Sequence, residues 1–260
     1  MTYKNIIAEV KEQILYLTIN REQKLNALNK ETLAELAEAI AFAGNSKEVR
    51  CVLLTGAGDK AFVAGADISE FSGFNSREGE ELALNGQLTV FDAIENCPKP
   101  VVAAINGFAL GGGLELAMAC HIRVAAVSAR LGLPETSLGL IPGYGGTQRL
   151  TRLVGKGQAI ELIATADMIS AERAKEIGLV NHVVEAAELT AKALEILRKI
   201  KTRAPLAIAS AIKAINAATN PDINGFKVEI QEFGNCFNTA DFKEGVAAFL
   251  EKRKPEFTGK

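Results

Sequence analysis

Histidine, paired cysteines, an excess of basic charge and any long apolar run are scarce or missing in this 260-residue chain. Each shortage excludes something. Only two histidines occur, His121 and His182, and neither stands beside a second ligand-type residue at metal spacing, so no metal site is expected. The four cysteines, Cys51, Cys97, Cys120 and Cys236, form no CxxC or similar pair and read as small apolar residues of a reducing compartment. Lysine and arginine number 29 against 31 acidic residues, a net charge of −2 scattered along the chain, whereas binding to nucleic acid needs a concentrated basic face. The longest uncharged stretch, Val101 to Leu114, is too short to span a bilayer and holds four glycines. The opening MTYKNIIAEVKEQ meets Lys4 and Glu9 too early for a signal peptide. A cytoplasmic protein with neither a membrane nor a nucleic acid as partner is the expectation. GxGxxG in a strand-turn-helix setting, GxxxxGK[ST] and GxSxG are all absent, which removes the usual nucleotide loops and the serine-hydrolase elbow.

What is present is an ordinary globular mixture, 48% hydrophobic and 23% charged, long enough to bury a core without disulfides. Apolar runs at 6–10 and 14–19 predict a hairpin, 32–42 a helix, 49–55 a buried strand, 76–94 a helix, and 101–105 and 122–127 further strands. Strands separated by helices imply crossovers and a largely parallel α/β core. Helical patterns follow near 186–200, 204–218, 222–237 and 240–252. Phe226, Ile230, Phe233 and Phe237 share one helical face, as do Phe242, Val246 and Phe249, facing either the chain's own core or another subunit.

Eleven of the 23 glycines fall between Gly107 and Gly157. Gly111-Gly112-Gly113 opens a helix after the strand 101–105. The glycines either permit tight packing or bare a row of backbone N–H groups at a positive helix end, where an oxyanion can bind. Glu115 just inside this helix and Glu135 in LGLPET both have apolar neighbours. Such carboxyls either pair with Arg123, Arg130 or Arg149 or form an acid/base couple with shifted pKa values. Small residues in 62–68 again let backbone N–H groups face a ligand, with Asp67 read as a loop organiser rather than a base.

Asn20-Arg21…Leu25-Asn26-Ala27-Leu28, AFVAGADISEF (61–71), Lys99-Pro100-Val101…NGFALGGGLELAMAC (106–120) and LGLPETSLGLIPGYGGTQRL (131–150) together resemble the enoyl-CoA hydratase (crotonase) family, from about residue 5 to 257. With both Glu115 and Glu135 present, the resemblance is to bacterial short-chain enoyl-CoA hydratases and 3-hydroxybutyryl-CoA dehydratases. It implies reversible syn hydration of a trans-2-enoyl-CoA. A Δ3,Δ2-enoyl-CoA isomerase and a non-enzymatic CoA- or RNA-binding scaffold are the alternatives. It further implies an oxyanion hole from the amides of Ala66 and Gly112, Glu115 as base and Glu135 as proton donor to Cα. Coenzyme A, part of the substrate and not a cofactor, would contact Leu25, Ala64, Asp67, Ile68 and Gly111. Gly143 resembles the helix-start position that shapes the floor of the site. The implied fold is a spiral of ββα units over 1–195 followed by a helical trimerisation region at 196–260, assembling as a homotrimer or as a homohexamer of two trimers. His121 stands where many relatives carry an acid, which makes it a contact behind the site or a surface or packing residue.

Overall fold

The computed structural model describes residues 2–260. The chain opens with β1 (Ile6–Lys11) and β2 (Ile14–Ile19), paired antiparallel as the predicted hairpin, then α1 (Lys30–Asn45), which Asn29 caps by accepting from the Thr32 amide. Three turns of a spiral follow. The first is β3 (Cys51–Gly56), β4 (Ala61–Val63), α2 (Ser76–Gly86), a π-helical turn at 87–91 and α3 (Asp92–Glu95). The second is β5 (Val101–Ile105), β6 (Phe108–Leu110) and α4 (Gly112–Ala119). The third is β7 (Ile122–Ala126), β8 (Arg130–Gly132), α5 (Gly146–Val154) and α6 (Lys156–Thr165). Then come β9 (Ile169–Ser170), α7 (Ala171–Glu176), β10 (His182–Val184), α8 (Leu189–Lys201) and the helices α9 (Pro205–Ala217), α10 (Gly225–Cys236) and α11 (Ala240–Leu250).

Each turn of the spiral contributes one strand to each of two sheets. Among the described residues the larger runs β1-β2-β3-β5-β7-β10, parallel from β2 onward, and the smaller runs β4-β6-β8-β9. The expected spiral of ββα units is therefore the observed one.

Strands β3 and β5 are apolar at every position but Thr55 and Gly56 because the sheet is covered on both faces. Alternate residues divide between the two sides: Val52, Leu54, Val101 and Ala103 join the main core with Leu36 and Ile40, while Cys51, Leu53, Val102 and Ala104 pack with Leu189, Ala193 and Leu197 of α8. A boundary at 195/196 falls inside α8, whose apolar stripe belongs to the sheet, so the covered core runs to its end at Lys201. Among the described residues no helix is long and apolar enough to cross a membrane.

The smaller sheet positions the site. Its strands β4, β6 and β8 are neighbours and parallel, so the loops leaving their C-terminal ends gather on one edge. Those loops carry Ala66, Gly112 and Glu135.

Candidate active site

Helix α4 enters the site so closely over β4 that a Cβ on Gly113 would lie 2.0 Å from the Val63 carbonyl oxygen, which only glycine permits. Gly111 precedes it in a left-handed conformation (φ 50°) and donates its amide to Gly132 O on the neighbouring strand at 2.9 Å. Gly112 is the first helical residue, and its amide is among those a helix leaves without an internal acceptor. Opposite it stands Ala66. The Leu28 amide donates to Gly65 O (2.8 Å) and the Asp67 amide donates to Leu28 O (2.7 Å). Successive amides of an extended segment point to opposite sides, so the Ala66 N–H faces away from Leu28's backbone. The point where Gly112 would carry a Cβ lies 3.5 Å from Ala66 N, so the two backbones flank one small cradle.

Glu115 lies one turn further along α4 and is 1% exposed. Its Oε1 accepts the amides of Tyr144 (2.8 Å) and Gly146 (2.7 Å), the latter the first residue of α5. A Cβ on Gly146 would sit 2.7 Å from that oxygen, so the carboxylate approaches because the residue is glycine. Burial, and then the charge of Glu135, push the Glu115 carboxyl up to about 8, against the two amide donors and Arg149. Burial raises Glu135 as well. Its Oε1 lies 2.8 Å from where a Gly111 Cβ would be, which places the carboxyl at the mouth of the α4 cradle. Its Oε2 is buried without a hydrogen-bond partner, alone in this among the described side-chain N and O atoms. The residue's own backbone amide only partly offsets burial, and a carboxyl oxygen without a donor is free to give or take a proton.

The three arginines that compete for these carboxyls are engaged elsewhere. Arg123 donates to Leu179 O and to Ala117 O, Met118 O and Cys120 O at the C-terminal end of α4, complementing that helix dipole. Arg130 donates to Ser128 O and Ala129 O. Arg149, 6% exposed, pairs with Asp92 (2.7 Å) and Glu95 (2.6 Å) and donates from Nη1 to Tyr144 O at 2.9 Å. It thereby holds in place the peptide segment whose amides grip Glu115.

The Ala64 amide donates to Leu25 O (3.0 Å), and the apolar side chains of Leu25 and Ile68 are 41% and 48% exposed. Asp67 accepts from Ser69 Oγ (2.6 Å) and pairs with Arg21 (3.0 Å), and these two contacts hold its carboxyl below the usual range. It is tied into the loop. Gly143 corrects one expectation. It is not a helix start: α5 begins three residues later at Gly146, because Gly145 takes the left-handed cap (φ 89°), and Gly143 O instead accepts from Gln87 Nε2 at 2.7 Å. His121 is a strut. Its Nδ1 accepts from the Val101 amide and its Nε2 donates to Glu95 O, so it is a half-buried packing residue.

Sequence reasoning missed four residues that build the site. Asn26 donates from Nδ2 to Ala57 O and Ala61 O, and Asn106 to Gly56 O, Gly58 O and Ala61 O. Together they fix the turn that feeds β4 and hence Ala66. Tyr144 and Arg149 are the other two, Arg149 having been read only as a competing partner for the carboxyls. An aromatic set among glycines and a lone cation on an otherwise buried helix face were the available signals.

The model of the enoyl-CoA hydratase/isomerase family matches residues 9–260. The chain is 50% identical over 257 residues to a short-chain-enoyl-CoA hydratase of Clostridium acetobutylicum, covering 98% of each chain. It is 48% identical over 261 residues to a crotonyl-CoA hydratase of Syntrophomonas wolfei, covering 100% of each. The crystal structure of an enoyl-CoA hydratase from Bacillus anthracis superposes with a TM-score of 0.92 at 44% identity, covering 99% of this chain and 100% of that one.

Proposed function

The chain belongs to the enoyl-CoA hydratase/isomerase family, and on that premise we propose that it is a hydro-lyase that reversibly adds water to a short-chain trans-2-enoyl-CoA. The observation that carries this reading is the pair Glu115 and Glu135, two carboxyls of raised proton affinity with no cation bound to either, one in the helix that follows β6 and the other in the turn that follows the adjacent strand β8.

The thioester oxygen accepts the amides of Ala66 and Gly112. These fixed donors stabilise the enolate that forms as electrons leave the Cα–Cβ double bond, and each is worth about 3 kcal/mol of transition-state stabilisation. Glu115 takes a proton from water as the water oxygen bonds to Cβ, and Glu135 delivers its proton to Cα. The product is the 3-hydroxyacyl-CoA, and Glu115 leaves the turn protonated while Glu135 leaves it ionised. Dehydration runs the same steps backward. The contacts support this division of labour. Two amide donors favour the carboxylate form of Glu115, while the unpartnered Oε2 of Glu135 suits the proton-bearing form. Burial and the charge of Glu135 raise the proton affinity of Glu115, so its carboxylate form is a stronger base toward water than an exposed glutamate.

Coenzyme A enters as part of the substrate. The apolar side chains of Leu25, Ala64 and Ile68 suit its adenine, and the 61–71 loop its length. The reading includes assembly of three chains, or of two such trimers, through the C-terminal helices, whose Phe226, Ile230, Phe233 and Phe249 are 68–82% exposed in the single chain.

Hydration of crotonyl-CoA by the purified protein, followed as loss of the conjugated thioester, tests the reading. Glu115→Gln and Glu135→Gln are each expected to lower turnover by about 10²–10⁴-fold while the protein stays folded. Wild-type turnover in either variant contradicts the two-carboxyl mechanism, and dependence on one carboxyl alone, with a 3-enoyl-CoA as the better substrate, would indicate an isomerase.

A further inference from the structure

We infer that the ring of Tyr144 is the wall that confines this site to short acyl chains. The inference rests on the hydratase reading, because it takes the thioester to lie on the amides of Ala66 and Gly112. Around the point where a Gly112 side chain would begin, three atoms meet: Ala66 N at 3.5 Å, Tyr144 Cδ2 at 3.5 Å and Leu28 Cδ1 at 3.7 Å. The phenol ring is thus part of the cradle itself, in contact with any acyl group held there.

The ring cannot withdraw. Behind it lies the backbone of α2, where a Cβ on Gly86 would come within 2.3 Å of Tyr144 Cε1, so the ring already uses the space that a side chain at 86 would take. Phe91, on the π-helical turn, stacks on it with centroids 4.8 Å apart and planes 16° from parallel. Its backbone is held on both sides, the amide on Glu115 Oε1 and the carbonyl on Arg149 Nη1. The residue is 6% exposed. A chain growing away from Cβ between α4 and α2 therefore meets an aromatic face with no slack on its far side. Protein interiors have almost no free volume to give, so each added methylene that runs into such a wall is rejected. Trimming the ring joins the space between Gly112 and Gly86 to the cradle.

The test compares kcat/KM for crotonyl-CoA and trans-2-decenoyl-CoA. Tyr144→Ala is expected to raise the decenoyl-to-crotonyl ratio by about ten-fold or more, while Tyr144→Phe, which keeps the ring, retains the wild-type ratio. Circular dichroism and thermal melting establish that the variants are folded. If Tyr144→Ala is not folded, Tyr144→Met, which still packs on Phe91 while thinning the wall, carries the same prediction. Binding of butanoyl-CoA and decanoyl-CoA, measured by calorimetry, reads the wall without any chemistry: wild type prefers the shorter thioester and the trimmed variant loses that preference. An unchanged ratio in a folded trimmed variant overturns the inference and leaves the hydratase reading standing. It would mean that the chain leaves over the exposed Leu84 and Leu88 instead. Failure of wild type to hydrate crotonyl-CoA, with the binding preference intact, overturns the hydratase reading and supports the wall.

Discussion

Glu115 is held by opposing influences, and the balance has a cost that can be measured. Burial and the charge of Glu135 raise its pKa from 4.5 to about 8, and two amides and Arg149 only partly offset them. A carboxyl whose folded value lies above its unfolded one binds more protons in the folded state throughout that interval. Its full contribution to stability is therefore present below pH 4.5 and is lost as pH rises toward 8. Glu115→Gln, which removes the titration, is expected to be more stable than wild type at pH 8.5 by about 2 kcal/mol, or roughly 4–8 °C in Tm, and to lose most of that gain at pH 5. Thermal melting of both proteins at the two pH values checks it. An equal Tm at pH 8.5 would show that Glu115 ionises like an exposed carboxyl. At this scale the two glutamates were legible in the sequence because an acid among Gly, Leu, Ala and Met has no cheap structural explanation. Asn26 and Asn106 were not, because asparagine is so often only a turn residue and their acceptors lie 31–35 and 45–50 positions away.

Among the elements, the segment joining 143 to α5 does the aligning. Arg149 ties α5 to α3 through Asp92 and Glu95 and, through Tyr144 O, fixes the amides that Glu115 accepts. Arg149→Gln removes a buried guanidinium whose partners Asp92 and Glu95 are part-exposed, with an expected loss of about 1–3 kcal/mol in stability. It also removes a cation that lowers the Glu115 pKa, so the rise of kcat with pH is expected to move to higher pH, a displacement that mere destabilisation would not produce. A pH–rate profile with an unmoved limb would show that Arg149 acts on stability alone. Five of the six strands of the large sheet were readable from their runs: 6–10, 14–19, 49–55, 101–105 and 122–127 all lie on observed strands or within two residues of them, and only the three-residue β10 was not read. The small sheet was not. Its strands, such as Ala61–Val63 and Phe108–Leu110, have two or three residues, too few to show a period, and their pairing is set by the turns of the spiral. Helices α5 and α6 were not read from the residues for a related reason, since the glycines at 145, 146, 155 and 157 read as loop although they lie at helix starts and ends, and α7 has only six residues.

At the scale of the molecule, the C-terminal helices leave one chain with large side chains in water. Phe226 and Phe249 are each 82% exposed, Ile230 71% and Phe233 68%, large apolar side chains of the kind that mark an interaction surface when they cluster. Light scattering is expected to give three or six times the 27.6 kDa chain mass. Phe233→Asp is expected to shift the population toward the single chain, because a carboxylate there has no partner in a buried apolar face. A wild-type mass of one chain would remove the assembly from the account. The sequence supplied the stripe by its helical spacing but left open which surface it meets, since burial against the chain's own core has the same period.

The central claim is that two amides and two carboxyls converge on one thioester, and a crystal structure of Glu115→Gln with crotonyl-CoA bound tests it most directly. The account predicts the thioester oxygen about 2.7–3.1 Å from the amide nitrogens of both Ala66 and Gly112, with Cα facing Glu135 and Cβ facing residue 115. A thioester oxygen bonded elsewhere, or an acyl group lying outside the space between the two carboxyls, would contradict it.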